Sequence, residues 1–230
     1  MYKIDLSIII PSLNESENLK LLIPLIKKNI NKKFKYEVII IDGLKKDKKT
    51  VAVAMKNKVR YFNRIHTNNY GDAVRLGIKN SLGKYTIFMD GDFSHDPSFI
   101  LNLYNEKKYD LVVASRYTEG GKTDNIMLLV ILSKILNIFY NAVLNLNLKD
   151  VSNSFKLYNS KYLKKLKLKC NHFDIIEEII FKIKIKNKNV TIKEIPYYFK
   201  KRKFGKTKRN FFVIIAYLFS IIRLRLANLN

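Results

Sequence analysis

The chain has 230 residues, 47% of them hydrophobic, enough for one sizeable core with an appended tail; its single cysteine, Cys170, excludes an internal disulfide and suits a reducing compartment. Its 44 Lys and Arg against 19 Asp and Glu give a formal charge of +25, which directs attention to polyanions or an anionic membrane surface. Only eight of the basic residues are Arg, the better side chain for bidentate base and phosphate recognition, and the basic runs Lys161–Lys169, Lys182–Lys188 and Lys200–Arg209 share the second half with the apolar segments, a pairing that favours membrane over nucleic acid.

In chain order, Ile4–Ile10 is a near-continuous β-branched run ending at Pro11, as expected of a strand buried on both faces, and the opening MYKIDLSIIIP reads as that strand and not as a signal peptide. Asn14 to Glu17 offers cap chemistry for a helix through about Asn29, with a kink or break expected at Pro24. Tyr36–Ile41 is a second buried strand ending in Asp42-Gly43, Lys48–Asn57 is helical, and Val59–Phe62 is a third short strand. An amphipathic helix over Gly71–Ser81 follows, then a strand over Tyr85–Met89, a helix from Pro97 to about Lys107, and a strand over Leu111–Ser115. Alternating strands and helices with short connections predict an α/β, doubly wound, mainly parallel sheet. Ligands in such sheets bind outside the carboxyl ends of the strands. Pro11–Glu15, Asp42–Asp47, Asp90–Asp92 and Ser115-Arg116 all fall at such ends, so four polar clusters are expected to converge on one crevice.

The most informative stretch is Tyr85–Pro97, YTIFMDGDFSHDP. Its apolar run delivers Asp90 and Asp92 into a loop at a strand terminus, where two carboxylates one residue apart supply hard oxygen ligands suited to Mg²⁺ or Mn²⁺. The alternative is an Asx-rich turn leading into a helix started by Pro97. His66, His95 and His172 have no metal-ligand spacing, and His95 reads as a contact for an acceptor or a cap of the next helix.

Taken in order, IIIPSLNESENL (Ile8–Leu19), IIIDGLKKDKKT (Ile39–Thr50), the small-residue helix with Gly71, Ala73 and Gly77, the DGDFSH element, ASRY (Ala114–Tyr117), LSKILN (Leu132–Asn137), DVSNSFKLY (Asp150–Tyr158) and EIPYYFKKRKFGKTK (Glu194–Lys208) resemble family 2 glycosyltransferases of the GT-A fold, in the polyprenyl- or dolichyl-phosphate mannosyltransferase branch. The resemblance spans almost the whole chain. It implies that Pro11, Leu13, Asn14, Glu15, Ile41, Asp42, Arg64, Asp90, Gly91 and Asp92 hold the nucleotide sugar. It also implies that Asp90 and Asp92, with a weaker oxygen from Ser94, hold Mg²⁺ or Mn²⁺. Asp92, Arg116, Arg202 and Lys208 would act on the diphosphate and the acceptor phosphate. The departures are Lys45 for the usual Ser, Ser94 for a longer amide, and Lys156 for the usual Arg.

The implied reaction is inverting transfer of mannose from GDP-mannose to dolichyl or another polyprenyl phosphate. The acceptor is already an anionic nucleophile near neutral pH, so a single in-line displacement needs no strong base. A UDP-sugar donor (glucose or N-acetylhexosamine) is the same-fold alternative. A non-catalytic basic membrane- or nucleic-acid-binding protein is the different-class one. The expected organisation is a catalytic domain over residues 1–209 and an apolar, basic C-terminal helix over 210–230, lying in the membrane interface with Ile126–Leu148. Phe211–Ile222 falls short of the ~20 residues needed to span. The expected location is therefore peripheral, on the cytoplasmic face of the endoplasmic reticulum or cell membrane, aided by the protein's own basic face or a small membrane-anchoring subunit.

Overall fold

The computed structural model describes residues 2–30, 34–201 and 211–226, the stretch 211–218 by its backbone only. A central sheet carries β1 (Ile4–Pro11), β2 (Tyr36–Asp42), β3 (Arg60–Asn63), β4 (Gly83–Phe88), β5 (Leu111–Ser115), β7 (Lys156–Asn159) and β8 (Ile192–Pro196), while β6 (Lys122–Thr123) and β9 (Tyr198–Phe199) pair separately. The spatial order is β3-β2-β1-β4-β7-β5-β8. All neighbours are parallel except at β7, which runs antiparallel to both β4 and β5. The mainly parallel α/β architecture is the one the strand–helix alternation predicts.

Ile8, Ile9, Ile10, Ile39, Ile40 and Ile41 are all fully buried, because helices cover both faces of β1 and β2. One layer contains α1 (Ser16–Ile30), α2 (Lys48–Lys56) and α4 (Ile100–Asn105); the other contains α3 (Tyr70–Asn80), α5 (Met127–Leu144), α6 (Ser160–Leu163), α7 (Ile175–Lys186) and α8 (Phe211–Leu226). Pro24 does not break α1, which continues to Ile30. Pro24 is exposed, so the carbonyl it strands meets water, while Leu22, Ile23, Ile26 and Ile30 keep the helix on the core. The helix expected from Pro97 begins as a short 3-10 turn, Pro97–Phe99, capped by Asp96 Oδ1 accepting from the Ser98 amide at 2.9 Å.

The C-terminal helix is more than an appendage. Ile221 and Leu224 of α8 are buried in the same core cluster as Tyr140 and Leu144 of α5 and Ile175, Ile176 and Ile179 of α7. The Ser220 hydroxyl donates to Asp174 Oδ2 in the turn before α7. Phe219, Ile222 and Leu226 remain exposed. Ile221→Ala should therefore cost about 2–5 kcal/mol through a cavity, whereas Ile222→Ala should stay within about 0.5 kcal/mol. Urea midpoints of the two variants test this; equal midpoints would place α8 outside the folding unit.

Candidate active site

Because β1, β2, β4, β5 and β8 are parallel, their carboxyl ends share one edge, and antiparallel β7 starts from that same edge. The loops after Pro11, Asp42, Phe88 and Ser115, together with the segment before Lys156, meet there. A Cβ placed on Gly91 would lie 3.9 Å from Glu15 Cβ, and one on Gly43 would lie 2.8 Å from Leu13 Cδ1 and 3.2 Å from Asn68 Oδ1. The loops after β1 and β2 and the Asp90–Asp92 loop thus border one crevice.

On its β2 side, Asp42 is almost fully buried and accepts from the Tyr61 hydroxyl at 3.2 Å; burial raises its pKa above the ordinary carboxylate value. Asn14 adopts a left-handed φ of 60°, turning the chain between Leu13 and Glu15. Glu15 accepts from the Asn18 amide. Ile41 is wholly inside the sheet, with its side chain in the core, and its carbonyl accepts the Ser12 amide at 2.8 Å. Arg64 is redirected. Its guanidinium donates to the Ser12 carbonyl at 2.8 Å and to the Asn68 carbonyl, tying the end of β1 to the loop after β3 rather than standing open to a phosphate. Asp72 holds that loop from below, accepting the amides of Ile65, His66 and Thr67 at 3.1–3.3 Å. Asp47 caps α2 through the Lys49 and Thr50 amides.

At the centre, the Asp90 side chain is 23% exposed and faces the crevice, and its Oδ1 accepts from the Ser154 hydroxyl at 3.3 Å. Asp92 is buried more deeply, with Oδ1 accepting the Ser94 amide at 3.0 Å and the Ser94 hydroxyl at 2.6 Å. Ser94 therefore orients Asp92, its buried hydroxyl donating to the carboxylate implied as the metal ligand. Among the described residues, no group of three or more His, Cys, Asp and Glu is arranged to hold a metal ion. Two carboxylates, with other positions left to water and substrate phosphate, nevertheless match what Mg²⁺ accepts. The donor set fits a cation shared with a diphosphate and not one caged by protein.

His95 neither caps the next helix nor faces the crevice. It is fully buried below the loop, held neutral by burial, and stacked on Phe155 with ring centroids 4.6 Å apart. Tyr197, which the sequence reading does not single out, braces the same loop. Its hydroxyl accepts the Asp96 amide at 2.7 Å and donates to the Ser94 carbonyl at 2.9 Å.

On the β5 side, Arg116 is buried and paired with Asp150, Nε to Oδ2 at 2.8 Å and Nη2 to Oδ1 at 2.7 Å, while its own amide donates to Oδ2 at 2.8 Å. Nη2 also reaches the hydroxyls of Ser152 at 2.9 Å and Ser133 at 3.4 Å. The fork expected to receive an acceptor phosphate is thus engaged by a carboxylate. Burial pushes the Asp150 carboxyl up, but the charge and hydrogen bonds of Arg116 outweigh it and hold the carboxyl below its ordinary value. Asp150 and Ser152 lie in the DVSNSFKLY element; the signal for them is a run of small polar residues ahead of buried Phe155. Arg202 and Lys208 lie outside the described residues.

Residues 7–167 match the family described as Glycosyl transferase family 2. The chain belongs to that family. It is 29% identical over 226 residues to a dolichol-phosphate mannosyltransferase of Pyrococcus furiosus, covering 95% of this chain and 63% of that protein. It is 25% identical over 219 residues to a polyprenol monophosphomannose synthase of Mycolicibacterium smegmatis, covering 87% and 79%. The chain therefore spans less than two thirds of the Pyrococcus relative. The fold superposes with a TM-score of 0.72 on glucosyl-3-phosphoglycerate synthase from Mycobacterium tuberculosis, solved with Mn²⁺, UDP and glucosyl-3-phosphoglycerate, at 15% identity over 98% of this chain and 80% of that one. The α/β GT-A fold expected from the motif order is thereby established.

Lys156 lies beneath the site, fully buried in β7, with Nζ donating to the Val151 carbonyl at 3.0 Å. Burial pulls its pKa from 10.5 down to about 8, against the pull of Asp150 and Glu177. Between those two values the unfolded chain binds the proton that the folded chain has released, so the contribution of Lys156 to stability should rise as pH passes from about 8 to 10.5. Lys156→Met should remove that rise, which is on the order of 3 kcal/mol. Urea unfolding at intervals across this pH range measures it, and parallel stability curves for the two proteins would contradict it.

Proposed function

We propose that this family 2 glycosyltransferase moves mannose, with inversion, from GDP-mannose to dolichyl or another polyprenyl phosphate, releasing GDP, in a reaction that depends on Mg²⁺ or Mn²⁺. The observation that carries the reading is the meeting, at one edge of the sheet, of the Asp90–Asp92 loop, buried Asp42 and the Arg116–Asp150 pair. The names of the two relatives supply the sugar and the lipid phosphate.

In this reading Asp42 and Glu15 accept hydrogen bonds from the nucleoside, with Pro11, Leu13 and Asn14 as the adjoining wall and Gly91 allowing close approach. Arg64 and Asp72 keep the Asn68 loop in place. Asp90 and Asp92 hold the cation. When bound, the cation would neutralise negative charge on the leaving diphosphate. Arg116, held by Asp150, leaves Nη1 outside the pair at the carboxyl end of β5, where the acceptor phosphate would attack from the side opposite the diphosphate. Arg202 and Lys208 are assigned to the two phosphate groups on the resemblance alone. Positioning and charge stabilisation carry the rate, because the acceptor arrives as an anion.

The membrane assignment rests on α5 and α8. By length and composition α5 could cross a bilayer, yet Asn137, Tyr140 and Leu144 tie its second half into the domain. The Asn137 side chain alone accepts the amides of Val151 and Ser152, at 2.9 and 3.1 Å. A helix docked in this way lies along an interface. Its exposed Met127, Leu128, Ile131, Ile135 and Ile138 would enter the headgroup region, beside Phe219, Ile222 and Leu226 of α8 and flanked by Arg223 and Arg225. Ser133 on α5 touches Arg116, so the lipid-facing helix borders the proposed phosphate subsite. Peripheral attachment to the cytoplasmic face, with or without an anchoring subunit, follows from this reading.

Two measurements test the reading. Thermal unfolding with GDP, UDP and their sugars should give a Mn²⁺-dependent rise with GDP and GDP-mannose. A rise with UDP alone would change the donor, and no rise with any nucleotide would count against catalysis. Asp92→Asn should lower transfer by about a hundredfold or more, the scale of removing a preorganised charge; near-normal turnover at limiting Mg²⁺ would refute the metal role. Separately, replacing Ile131, Ile135 and Ile138 together by Ser should abolish sedimentation with anionic liposomes while leaving the urea midpoint unchanged, because all three are exposed.

A further inference from the structure

His95 is a wholly buried imidazole with no task in the chemistry above. Its hydrogen bonds are directional. Nδ1 accepts the Asp90 amide at 2.9 Å, which leaves Nε2 as the N–H and directs it to Asn153 Oδ1 at 3.2 Å. Asn153 is anchored in turn. Its Nδ2 donates to the Ala114 carbonyl at 2.6 Å, and its Oδ1 accepts the Phe155 amide at 3.3 Å. Nε2 also lies 3.8 Å from Asp90 Oδ2. The ring therefore bridges the Asp90 main chain to the end of β5 and the start of β7. Phe155 lies flat against it, while Tyr197 and Phe199 present edges at 6.4 and 5.8 Å.

We infer that His95 is a positioning residue for the cation site: it fixes the Asp90 main chain so that the Asp90 carboxylate projects into the crevice, and does so without a fixed positive charge there. A leucine would fill the same volume but strand the Asp90 amide, at the cost of an unmade buried hydrogen bond. A lysine or arginine would place a fixed cation where the metal is needed. Imidazole combines an acceptor on one side, a donor on the other and two flat apolar faces. Partners that orient ligands in this way typically control metal affinity by about 10–100-fold. The inference rests on the metal-dependent reading of the site, and the test separates the two.

The experiment is Mn²⁺ binding in the presence of saturating GDP, or UDP if that is the nucleotide that stabilises the wild type, read from the electron paramagnetic resonance signal of free Mn²⁺, with a urea midpoint for each protein. In His95→Asn the side-chain oxygen falls where Nδ1 was and still accepts from Asp90. In His95→Gln the amide reaches the Nε2 position and keeps only Asn153. The expected result is a tenfold or greater rise in the Mn²⁺ dissociation constant for Gln, recovery to within about threefold of wild type for Asn, and similar urea midpoints for the two. Asn153→Ser frees the ring from its other side while keeping His95 and its bond to the Asp90 amide; it should weaken Mn²⁺ in the same direction with a urea midpoint that stays within the folded range, and it decides the matter if both His95 variants unfold. Wild-type Mn²⁺ affinity in folded Gln or Ser variants overturns the inference, as do equal losses in Gln and Asn that merely follow their midpoints. If the wild type binds no Mn²⁺ with either nucleotide, the metal-dependent reading itself fails, and this assignment fails with it.

Discussion

The antiparallel insertion of β7 between β4 and β5 is the constraint on which the crevice depends. A parallel strand in that slot would begin at the opposite edge. Running the other way, β7 makes the chain arrive at the carboxyl edge first, and residues 150–155 must cross the floor of the crevice before the strand starts at Lys156. That crossing supplies Asp150 to Arg116, Asn153 to His95 and Ser154 to Asp90. It also puts a lysine in the middle of a sheet, opposite Phe88 on one side and Val113 on the other.

A buried lysine and a buried Arg–Asp pair are costly unless every charge is matched. Here Asp150 takes the Arg116 fork and lies near Lys156, while Glu194 accepts the amides of Lys149 and Asp150 at 2.7 and 2.9 Å. Such a network contributes little net stability, but its hydrogen bonds are satisfied in one arrangement only, which favours a rigid floor. Above it, the side chain of Asp90 remains partly open to water. The site is therefore built in two tiers: buried ion pairs and an imidazole fix the backbone, and the carboxylate on top stays available to a ligand from solvent.

Much of this was legible in the residues. The runs at β1, β2, β4 and β5 are apolar enough to be read as strands, since both faces of each are covered, and the polar residues following them mark the crevice. What could not be read from sequence shares a physical cause. β7 has four residues, KLYN, and its leading lysine argues for solvent; insertion between β4 and β5, with the Val151 carbonyl folded back onto Nζ, makes it a core residue. Arg64 and Arg116 are basic residues beside a phosphate-shaped expectation. Whether a guanidinium is free depends on carbonyls and carboxylates up to 52 residues away in sequence, which local pattern does not encode. The same holds for α8, whose helical run is visible but whose burial at Ile221 is set by α5 and α7.

The placement of α5 links the two halves of the proposed activity. One face of α5 is held by the core through Asn137, Tyr140 and Leu144, and the other exposes Met127, Leu128, Ile131, Ile135 and Ile138. Ser133 lies against the Arg116 guanidinium. A lipid phosphate whose chain stayed in the bilayer would, on the proposed reading, meet the protein along this helix. Its phosphate would then need to travel no further than the end of β5. On the same reading the donor would approach from the other side, over β1 and β2, where Asp42 and Glu15 lie. Under the proposed activity, two substrates of opposite solubility would thus reach one crevice from opposite ends of the strand edge.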